Sequence, residues 1–376
     1  MQPLTDPILR PYTAAQIIGL LTGPGLQVEA GLELVDANNT VLADISDQLQ
    51  SGTISRQNYA TIHGTASLSI TDALVWGRDR VRPYMVLSNS SISARWNLGV
   101  YVLATPDSVV GETPQTWKVA GSDLLYLLAG PVGDSYSVAA GTAVLDAVTT
   151  AITTAVPGAR ILLDGTAYGK TLPTAMVWPL TSSTISTWLD VVNGLLATVS
   201  YRGVWCDWDG NYTSQPYQNP SVRAPEFTFS ADDGYLSIVG ESRTITNDLW
   251  QAPNWWRFIA QNWAGTVSEG AGQYTVQNLS SGPSSQSAVG RTVRKVVYVN
   301  TADQASLQSQ GDQTVSTDQR VTEMITVQLS PAPMQWHFDI SEYVDTAAGG
   351  SSKVVTHSWG LDLTGADGQT VFEVVG

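Results

Sequence analysis

The sequence is poor in the residues from which many catalytic and metal centres are built. Among 376 residues there is one cysteine, Cys206, and there are three histidines, His63, His337 and His357. A single cysteine excludes a disulfide framework and a cysteine-ligated metal within one chain. No apolar run approaches the roughly 20 residues that a membrane span requires, and the first residues lack the pattern of a signal peptide. We therefore expect no membrane insertion by this chain.

Charge is also scarce and unevenly divided. Charged residues make up 14% of the chain, well under the usual fraction of about a quarter. The 33 acids against 18 bases give a formal net charge of −15. Because nucleic-acid binding needs basic residues that displace counterions from phosphate, this composition argues against it. Polarity comes instead from uncharged side chains and 33 glycines, which suits β-rich proteins that pack against copies of themselves.

The first third of the sequence contains a series of short alternating segments. Residues 13–21 predict a short helix that Thr13 caps and Gly23 ends. From residue 26 to residue 121, apolar and polar side chains alternate between turn residues, as in "TASLSIT" at 65–71. Alternation of this period is typical of strands, and the many short strands predict an antiparallel barrel or sandwich.

Helical spacing replaces this alternation between residues 122 and 200. Ser122 has the residue type of a helix N-cap and predicts a helix start. The clearest helix has its apolar residues on one face between Ile185 and Val199, and we expect Ser182 or Ser183 to cap it.

Strand-like alternation returns at Tyr201. The dipeptide Asp209-Gly210 predicts a hairpin turn, and a further helix is expected with Thr301 or Asp303 as its cap. The composition of residues 270–292 predicts a surface loop. Strands and helices do not alternate regularly, so the fold class is mixed and mainly β, not a doubly wound parallel sheet.

Two short motifs suggest metal or acid–base chemistry. His337 and Asp339 lie two residues apart, which on a strand places them on one face, but ordinary polar strand positions explain this pair and are favoured. Asp207 and Asp209 resemble the start of a calcium loop, yet Gln218 stands where that loop requires a glutamate. An Asp-Gly turn explains the same residues and is favoured over calcium. We therefore assign no metal site and no cofactor.

Tryptophan and arginine are the two residue types whose placement suggests contacts with other molecules. The 13 tryptophans include Trp205, Trp208, Trp250, Trp255, Trp256 and Trp263. Tryptophan stacks on sugars and anchors interfaces, although filling a β core and subunit contacts is the favoured interpretation.

A row of arginines lies between two predicted strands. Arg78, Arg80 and Arg82 surround Asp79, and Arg95 follows downstream. On a strand, alternation would place the first three on one side, where they could pair with acids of a neighbouring copy. A charged strand edge that blocks unwanted pairing explains the row equally well.

An ordered series of short motifs runs along nearly the whole chain. It comprises "GTI" at 52–54 before Arg56, Gly64, Asp72, Arg82-Pro83, "LGVY" at 98–101 before Pro106, and "GSDLLYLL" before "YSVAAGTAVLDAV". In this order the motifs resemble minor tail proteins of actinobacterial siphophages. They are similar to the tail-hub family, which includes the hub of contractile baseplates and the N-terminal part of tail-associated lysins.

This resemblance implies a fold and an assembly. Hub proteins carry two tube-type antiparallel β-barrel domains with an inserted helical segment. On this basis residues 1–121 form the first barrel, 122–200 the mainly helical segment, and 201–376 the second barrel with inserted β and loop segments. These boundaries are approximate, because hub domains are assembled from discontinuous segments. Three copies are expected to close into a ring, a homotrimer in which Arg78, Arg80 and Arg82 would contact a neighbouring copy.

The resemblance also implies a structural role at the distal end of the phage tail in the virion, for a protein made in the host cytoplasm. The ring would join the distal tail protein and the tail tube to other tail-tip proteins. It would line the exit path of the tape measure protein and of DNA, which would pass without specific binding because the chain is acidic. Many relatives continue into a peptidoglycan-cutting domain, whereas the sequence up to Gly376 is strand-like, so we expect no enzyme and no catalytic residue.

Two other function classes remain as alternatives. A receptor- or carbohydrate-binding tail protein would use exposed tryptophan clusters such as Trp255 and Trp256. A hydrolase would use acids near Asp207 or the imidazole of His337, although no G-x-S-x-G motif supplies a nucleophile.

Overall fold

The computed structural model describes most of the chain. The described residues are 1–71, 74–108, 115–181, 185–232, 243–246, 252–261, 263, 266–301, 303–320, 323–364 and 368–375. Within these ranges, each helix is too short or too polar to cross a membrane.

Six α-helices lie in the described ranges. They are α1 Ala14–Thr22, α2 Leu125–Leu128, α3 Val144–Ala155, α4 Trp188–Thr198, α5 Gln286–Val289 and α6 Gln304–Arg320. Helix α1 is confirmed with both of its predicted ends, because Thr13 forms a capping box with Gln16 and the helix ends at Gly23. Helix α6 is confirmed as well, and the carboxylate of Asp303 accepts a hydrogen bond from the Ser306 N–H at 2.7 Å.

Twenty-three strands lie in the described ranges. In the first half of the chain they are β1 Gln27–Val35, β2 Val41–Asp44, β3 Leu49–Gln57, β4 Gly64–Ile70, β5 Arg80–Ser88, β6 Ser93–Asn97, β7 Tyr101–Ser108, β8 Trp117–Asp123, β9 Tyr136–Val138, β10 Ile161–Leu163 and β11 Met176–Trp178. In the second half they are β12 Trp205–Cys206, β13 Tyr212–Ser214, β14 Phe227–Ser230, β15 Arg243–Thr246, β16 Trp255–Ala260, β17 Ser268–Glu269, β18 Gly272–Gln277, β19 Arg294–Val299, β20 Met324–Leu329, β21 Ile340–Asp345, β22 Gly350–Asp362 and β23 Gly368–Val374.

Fourteen of these strands form one sheet, which we call the main sheet. Its order is β15-β20-β23-β22-β3-β4-β8-β7-β5-β1-β2, with β6 beside β5, β21 beside β22 and β14 beside β21. The pairing of β3 with β22 joins residues 53–57 to residues 358–362, so strands from both ends of the chain share one sheet. The mainly β class is confirmed. Among the described strands the path stays open, and the two-barrel division remains a prediction.

Two smaller units are attached to the main sheet. Helices α2, α3 and α4 pack with the two-stranded sheet β9·β11 and the three-stranded sheet β10-β13-β12 around a core of their own. The second unit lies between β15 and β20, which pair with each other. It contains the four-stranded sheet β17-β18-β16-β19, which we call the inserted sheet, and α6 packs on one of its faces.

Three local predictions are wrong, and at the two helix starts another residue forms the cap. Ser122 lies in β8 and does not cap α2; the Asp123 carboxylate accepts the Leu125 N–H instead. Helix α4 is capped by a Thr187–Asp190 capping box, four or five residues after the expected cap, and Ser182 and Ser183 lie outside the described residues. The expected loop at 270–292 contains β18 and α5.

Candidate functional site

The arginine row lies at the start of β5, and its three members have different environments. Arg78 precedes the strand in a turn, pairs with Asp79 at 2.8 Å, and is 75% exposed. Arg80 is buried, and its guanidinium donates a hydrogen bond to the Ala37 carbonyl at 2.8 Å. A subunit contact by the row stays a prediction, and Arg78 is its accessible member.

Arg82 belongs to a shared ion-pair cluster. The antiparallel register of β1 and β5 places Arg82 opposite Glu33, and the neighbouring strand β6 supplies Arg95. Both guanidinium groups lie 2.7 Å from the same Glu33 oxygen. Arg95 also stacks on the Tyr84 ring, 3.7 Å from its centroid, and Asp209 lies 3.7 Å from Arg82. The cluster therefore ties β1, β5 and β6 to the turn at Asp209.

The turn that contains Asp207 and Asp209 is the predicted hairpin turn between β12 and β13. One Asp207 oxygen accepts the backbone N–H groups of Asp209 and Asn211, and the other accepts the Asn211 side-chain amide. Gly210 has φ +80°, a conformation that favours glycine. Burial raises the pKa of Asp207. Both carboxylate oxygens thus serve the turn, and the described residues contain no cluster of three or more acids, histidines or cysteines suited to a metal ion.

His337 and Asp339 do not share a strand face, contrary to the prediction. Strand β21 begins only at Ile340, and Phe338 between them has φ +51°, a left-handed conformation that turns the chain. His337 bonds through Nδ1 to the Asn58 side chain at 3.0 Å. The Asp339 carboxylate instead accepts the Trp336 N–H at 2.5 Å and the Met1 ammonium group.

The imidazole of His337 lies in an aromatic stack that the sequence did not suggest. It stacks on Trp205 at a centroid distance of 4.8 Å and contacts His63 at 4.6 Å. A cleft of about 430 Å³, lined also by Arg202 and Phe338, opens beside the two histidines. Burial, with a smaller contribution from Arg56, lowers the pKa of His63 to about 3. Burial also lowers the pKa of His337 well below its ordinary value.

These histidines are poorly suited to acid–base catalysis near neutral pH. A general base works best with a pKa near the working pH, and both imidazoles are held far below it. Burial also raises the pKa of the Cys206 thiol well above its ordinary value, which removes the thiolate needed for nucleophilic attack. The stack therefore supports a packing role and gives no support to the hydrolase alternative.

A buried charge junction is the second feature that the sequence did not suggest. Arg56 in β3 and Asp123 at the end of β8 approach to 3.8 Å, and both side chains are almost fully buried. Asp123 also accepts the Gly64 N–H at 2.8 Å, and Arg56 stacks on the Trp336 ring at 4.5 Å. Burial raises the pKa of Asp123 to about 6. These contacts join the main sheet to the loop before β21. The sequence did not suggest them because the residues that make them lie far apart in the chain.

The tryptophans singled out in the sequence differ in burial. Trp256 is fully buried, and its indole N–H donates to Asp318 at 2.7 Å. Trp205 is also buried, whereas Trp208, Trp255 and Trp263 are half-buried; Trp250 lies outside the described residues. The predicted Trp255–Trp256 cluster is therefore not a shared surface, because the two rings lie on opposite faces of β16.

The fold is shared with tail proteins of phages. No protein-family model and no curated protein matches the sequence. The solved tail protein from Neisseria meningitidis MC58 superposes with a TM-score of 0.63 at 13% identity, covering 93% of this chain and 97% of that one. The 43 kDa tail protein of prophage MuSo2 from Shewanella oneidensis gives a TM-score of 0.58 at 13% identity, covering 92% and 98%. A chain of the Francisella PdpA–VgrG complex gives 0.54 at 9% identity, covering 96% and 60%.

These structural neighbours confirm the resemblance seen in the sequence at the level of the fold. The match extends over more than nine-tenths of both this chain and the two tail proteins. It therefore includes the main sheet and both attached units, not one module alone.

Proposed function

We propose that the chain is a structural protein of the phage tail tip, a hub that assembles as a homotrimeric ring. The observation that carries this proposal is the nearly full-length fold match to solved tail proteins. In this role the ring joins the tail tube and the distal tail protein to other tail-tip proteins and lines the exit path of the tape measure protein and DNA. It acts by shape and contact, without enzymatic turnover, at the distal end of the virion tail.

The open ends of the main sheet support assembly with other copies. The described part of β2 pairs only with β1 and that of β15 only with β20, so each is an edge strand. Apolar side chains are exposed on both: Val41 by 42%, Leu42 by 60% and Ile245 by 45%. Exposed edges with apolar residues are sites where another chain binds. Neighbouring copies would cover these edges in the assembled ring.

The charge of the chain supports a conduit. A wall with net charge −15 repels the phosphate backbone, so DNA can pass without binding. Few bases are left to attract DNA on the main sheet, since Arg82 and Arg95 are paired with Glu33. In the proposed ring the exposed Arg78 contacts an acidic group of the next copy.

Imaging of intact particles tests this function. We expect antibody label or added density for the chain at the distal tail end, on the tail axis, in three copies. Mass measurement by light scattering on the isolated chain gives the state in solution, where a monomer is compatible because tail parts often assemble only on a template. Absence of the chain from purified particles, or a position away from the axis, would refute the proposal.

A receptor- or carbohydrate-binding role is the alternative function. Of the two tryptophans assigned to it, only Trp255 lies on an open surface. Glycan binding by the isolated monomer, abolished by Trp255→Ala and measured by calorimetry, would favour this alternative over the hub.

A further inference from the structure

The inserted sheet has one packed face and one open face. Alternate residues of β16 and β19 point toward α6, among them Trp256 and Phe258, which are fully buried. The register of the parallel pair β16·β19 places the remaining residues side by side on the opposite face. We call this opposite face the outer face; its residues are Trp255, Arg257, Ile259, Arg294, Val296 and Tyr298.

Apolar groups on the outer face are exposed to solvent. Tyr298 is 63% exposed and Val296 is 52% exposed, on the edge strand β19. Trp255 and Ile259 on the central strand β16 are half-buried. Within the chain, α6 covers only the other face of the sheet. Large exposed apolar groups gathered on one face mark interaction surfaces more often than isolated ones.

The two arginines of the outer face have no acid partner within the described residues. Every described ion pair lies elsewhere. The Nε of Arg257 is buried without a hydrogen-bond partner in the described structure. Glu269 lies beside this face, but its two oxygens accept the N–H and hydroxyl of Thr275 at 3.1 and 2.8 Å. The charges of these two arginines are therefore not neutralised by a carboxylate of the described structure.

The same arginines decide which kind of partner fits. Both guanidinium groups stack on the Trp255 indole, at 5.1 Å for Arg257 and 5.4 Å for Arg294. Cations already occupy the π surface of this ring, so a neutral sugar would have to displace them to stack there. The outer face instead offers two positive charges beside apolar side chains, which suits a partner that carries carboxylates next to apolar residues.

We propose that the outer face binds the β2 edge of a second copy of this chain. This inference rests on the hub function proposed above, because it requires copies that lie side by side. The β2 edge is acidic and apolar: Asp44 and Asp47 are exposed near Val41 and Leu42. Asp44 also accepts hydrogen bonds from Ser46 and Tyr84, so Asp47 is the more available carboxylate. The carboxylates would meet Arg257 and Arg294, and the apolar side chains would meet Val296 and Tyr298.

The geometry of β2 favours contact through side chains. A register irregularity interrupts its pairing with β1, so that Leu34 pairs with Ala43 and Val35 with Val41. Such a bulge hinders continuous pairing of backbone groups with another strand, while leaving the side chains accessible. The outer face and the β2 edge are different surfaces, so the contact is head-to-tail, and repetition of a head-to-tail contact closes into a ring when its rotation permits.

Site-specific photo-cross-linking in assembled particles tests the contact. A photoreactive phenylalanine analogue replaces Tyr298, and the matched control carries it at Tyr168, which is 70% exposed in the helical unit. We expect the Tyr298 position to give an adduct of twice the 40.2 kDa chain mass, with the cross-linked peptide containing residues 41–47. The Tyr168 position should not yield this peptide.

The outcomes separate this inference from the function on which it rests. An adduct with another protein or a glycan, or no adduct although the chain is in the particles, would overturn the contact and leave the hub intact. Absence of the chain from particles would overturn both.

Charge reversal gives an independent measurement. Incorporation of R257E/R294E into particles should fall on the order of tenfold, which corresponds to losing both charge contacts. Adding Asp47→Arg, which restores one opposite charge, should recover part of that loss. Arg160→Glu, at an exposed arginine of the helical unit, is the control and should change incorporation less than about twofold. Equal incorporation of R257E/R294E and the control would contradict the contact.

Discussion

The main sheet and the inserted sheet each place a pair of arginines on neighbouring strands near an aromatic ring, but only one pair has an acid. Arg82 and Arg95 share Glu33, and Arg95 lies on Tyr84. Arg257 and Arg294 lie on Trp255 without a carboxylate partner in the described structure. The first pair forms ion pairs within the chain that hold its strands together. The second leaves its charge available to another molecule, so similar local composition serves internal cohesion in one sheet and recognition in the other.

The largest change in unfolding free energy is expected from removing Glu33, the acid that Arg82 and Arg95 share. Glu33→Gln leaves two partly buried guanidinium groups with only the more exposed Asp209, 3.7 Å from Arg82, as a nearby counter-charge in the described structure. The substitution should lower the free energy of unfolding by about 3 kcal/mol. Urea denaturation followed by tryptophan fluorescence measures it.

Arg78→Gln is the matched control for this substitution. Its guanidinium group is 75% exposed where it pairs with Asp79, so the loss should stay below about 1 kcal/mol. If Glu33→Gln proved as mild as this control, the cluster would not be the cohesive element that the geometry indicates.

Acid should destabilise the part of the protein outside the inserted sheet, because all three histidines lie there. Burial lowers the pKa of His63 to about 3, so its contribution to stability is present above the ordinary pKa and is lost as the pH falls below it. For a group with an ordinary pKa near 6.5, this loss amounts to about 2 kcal/mol between pH 7 and pH 5. His63→Phe retains an aromatic ring and should abolish this loss of stability in acid.

The measurement is the difference in unfolding free energy between wild type and His63→Phe at the two pH values. Asp123 acts in the opposite direction: burial raises its pKa to about 6, so its contribution is lost as the pH rises through that value. Its effect is common to both proteins and cancels in the difference. A difference independent of pH would show that His63 is not the group responsible.

The inner face of the inserted sheet is packed as tightly as a core. A Cβ at Gly311 in α6 would lie 2.7 Å from the Tyr274 ring and 3.0 Å from Phe258. Gly311→Ala should therefore destabilise the protein by about 1 to 2 kcal/mol, although alanine normally favours a helix.

Gly19 in α1 provides the opposite case. It is exposed, and a Cβ there would meet nothing within 4 Å. Gly19→Ala should stabilise the protein by up to about 1 kcal/mol. Thermal unfolding of the two variants should thus shift in opposite directions; shifts of the same sign would mean that α6 does not pack on the inserted sheet as described.

Much of the fold was predictable because its signals are local. Thr13 and Asp303 cap helices within four residues of themselves, Asp209-Gly210 forms a turn, and period-two alternation marks most strands. The pairing of β3 with β22 was not predictable, since it joins residues about 300 positions apart and any apolar strand could have occupied that place. The loop prediction at 270–292 failed because its serines and glycines outweighed the short alternating run of β18.

The candidate site was less predictable than the fold, for a physical reason. A charge has many possible partners in a chain with 33 acids, and only the register of β1 and β5 selects Glu33 for Arg82. The contact of His63 with His337 likewise depends on the packing of distant segments. The outer face could not be identified either, since its residues come from two strands separated by about 30 positions and a parallel register aligns them.

The smallest change in unfolding free energy is expected from removing the arginines of the outer face. This change distinguishes a surface that binds a partner from one that stabilises the fold. Arg257→Ala and Arg294→Ala break no ion pair in the described structure, so each should change the unfolding free energy of the isolated chain by less than about 0.5 kcal/mol, near the weak limit of an exposed cation–π contact. Urea denaturation beside Glu33→Gln measures it. A loss from Arg257→Ala comparable to that of Glu33→Gln would assign this arginine an internal structural role. A negligible loss of stability combined with reduced incorporation into particles would show that the outer face contributes to assembly and little to folding.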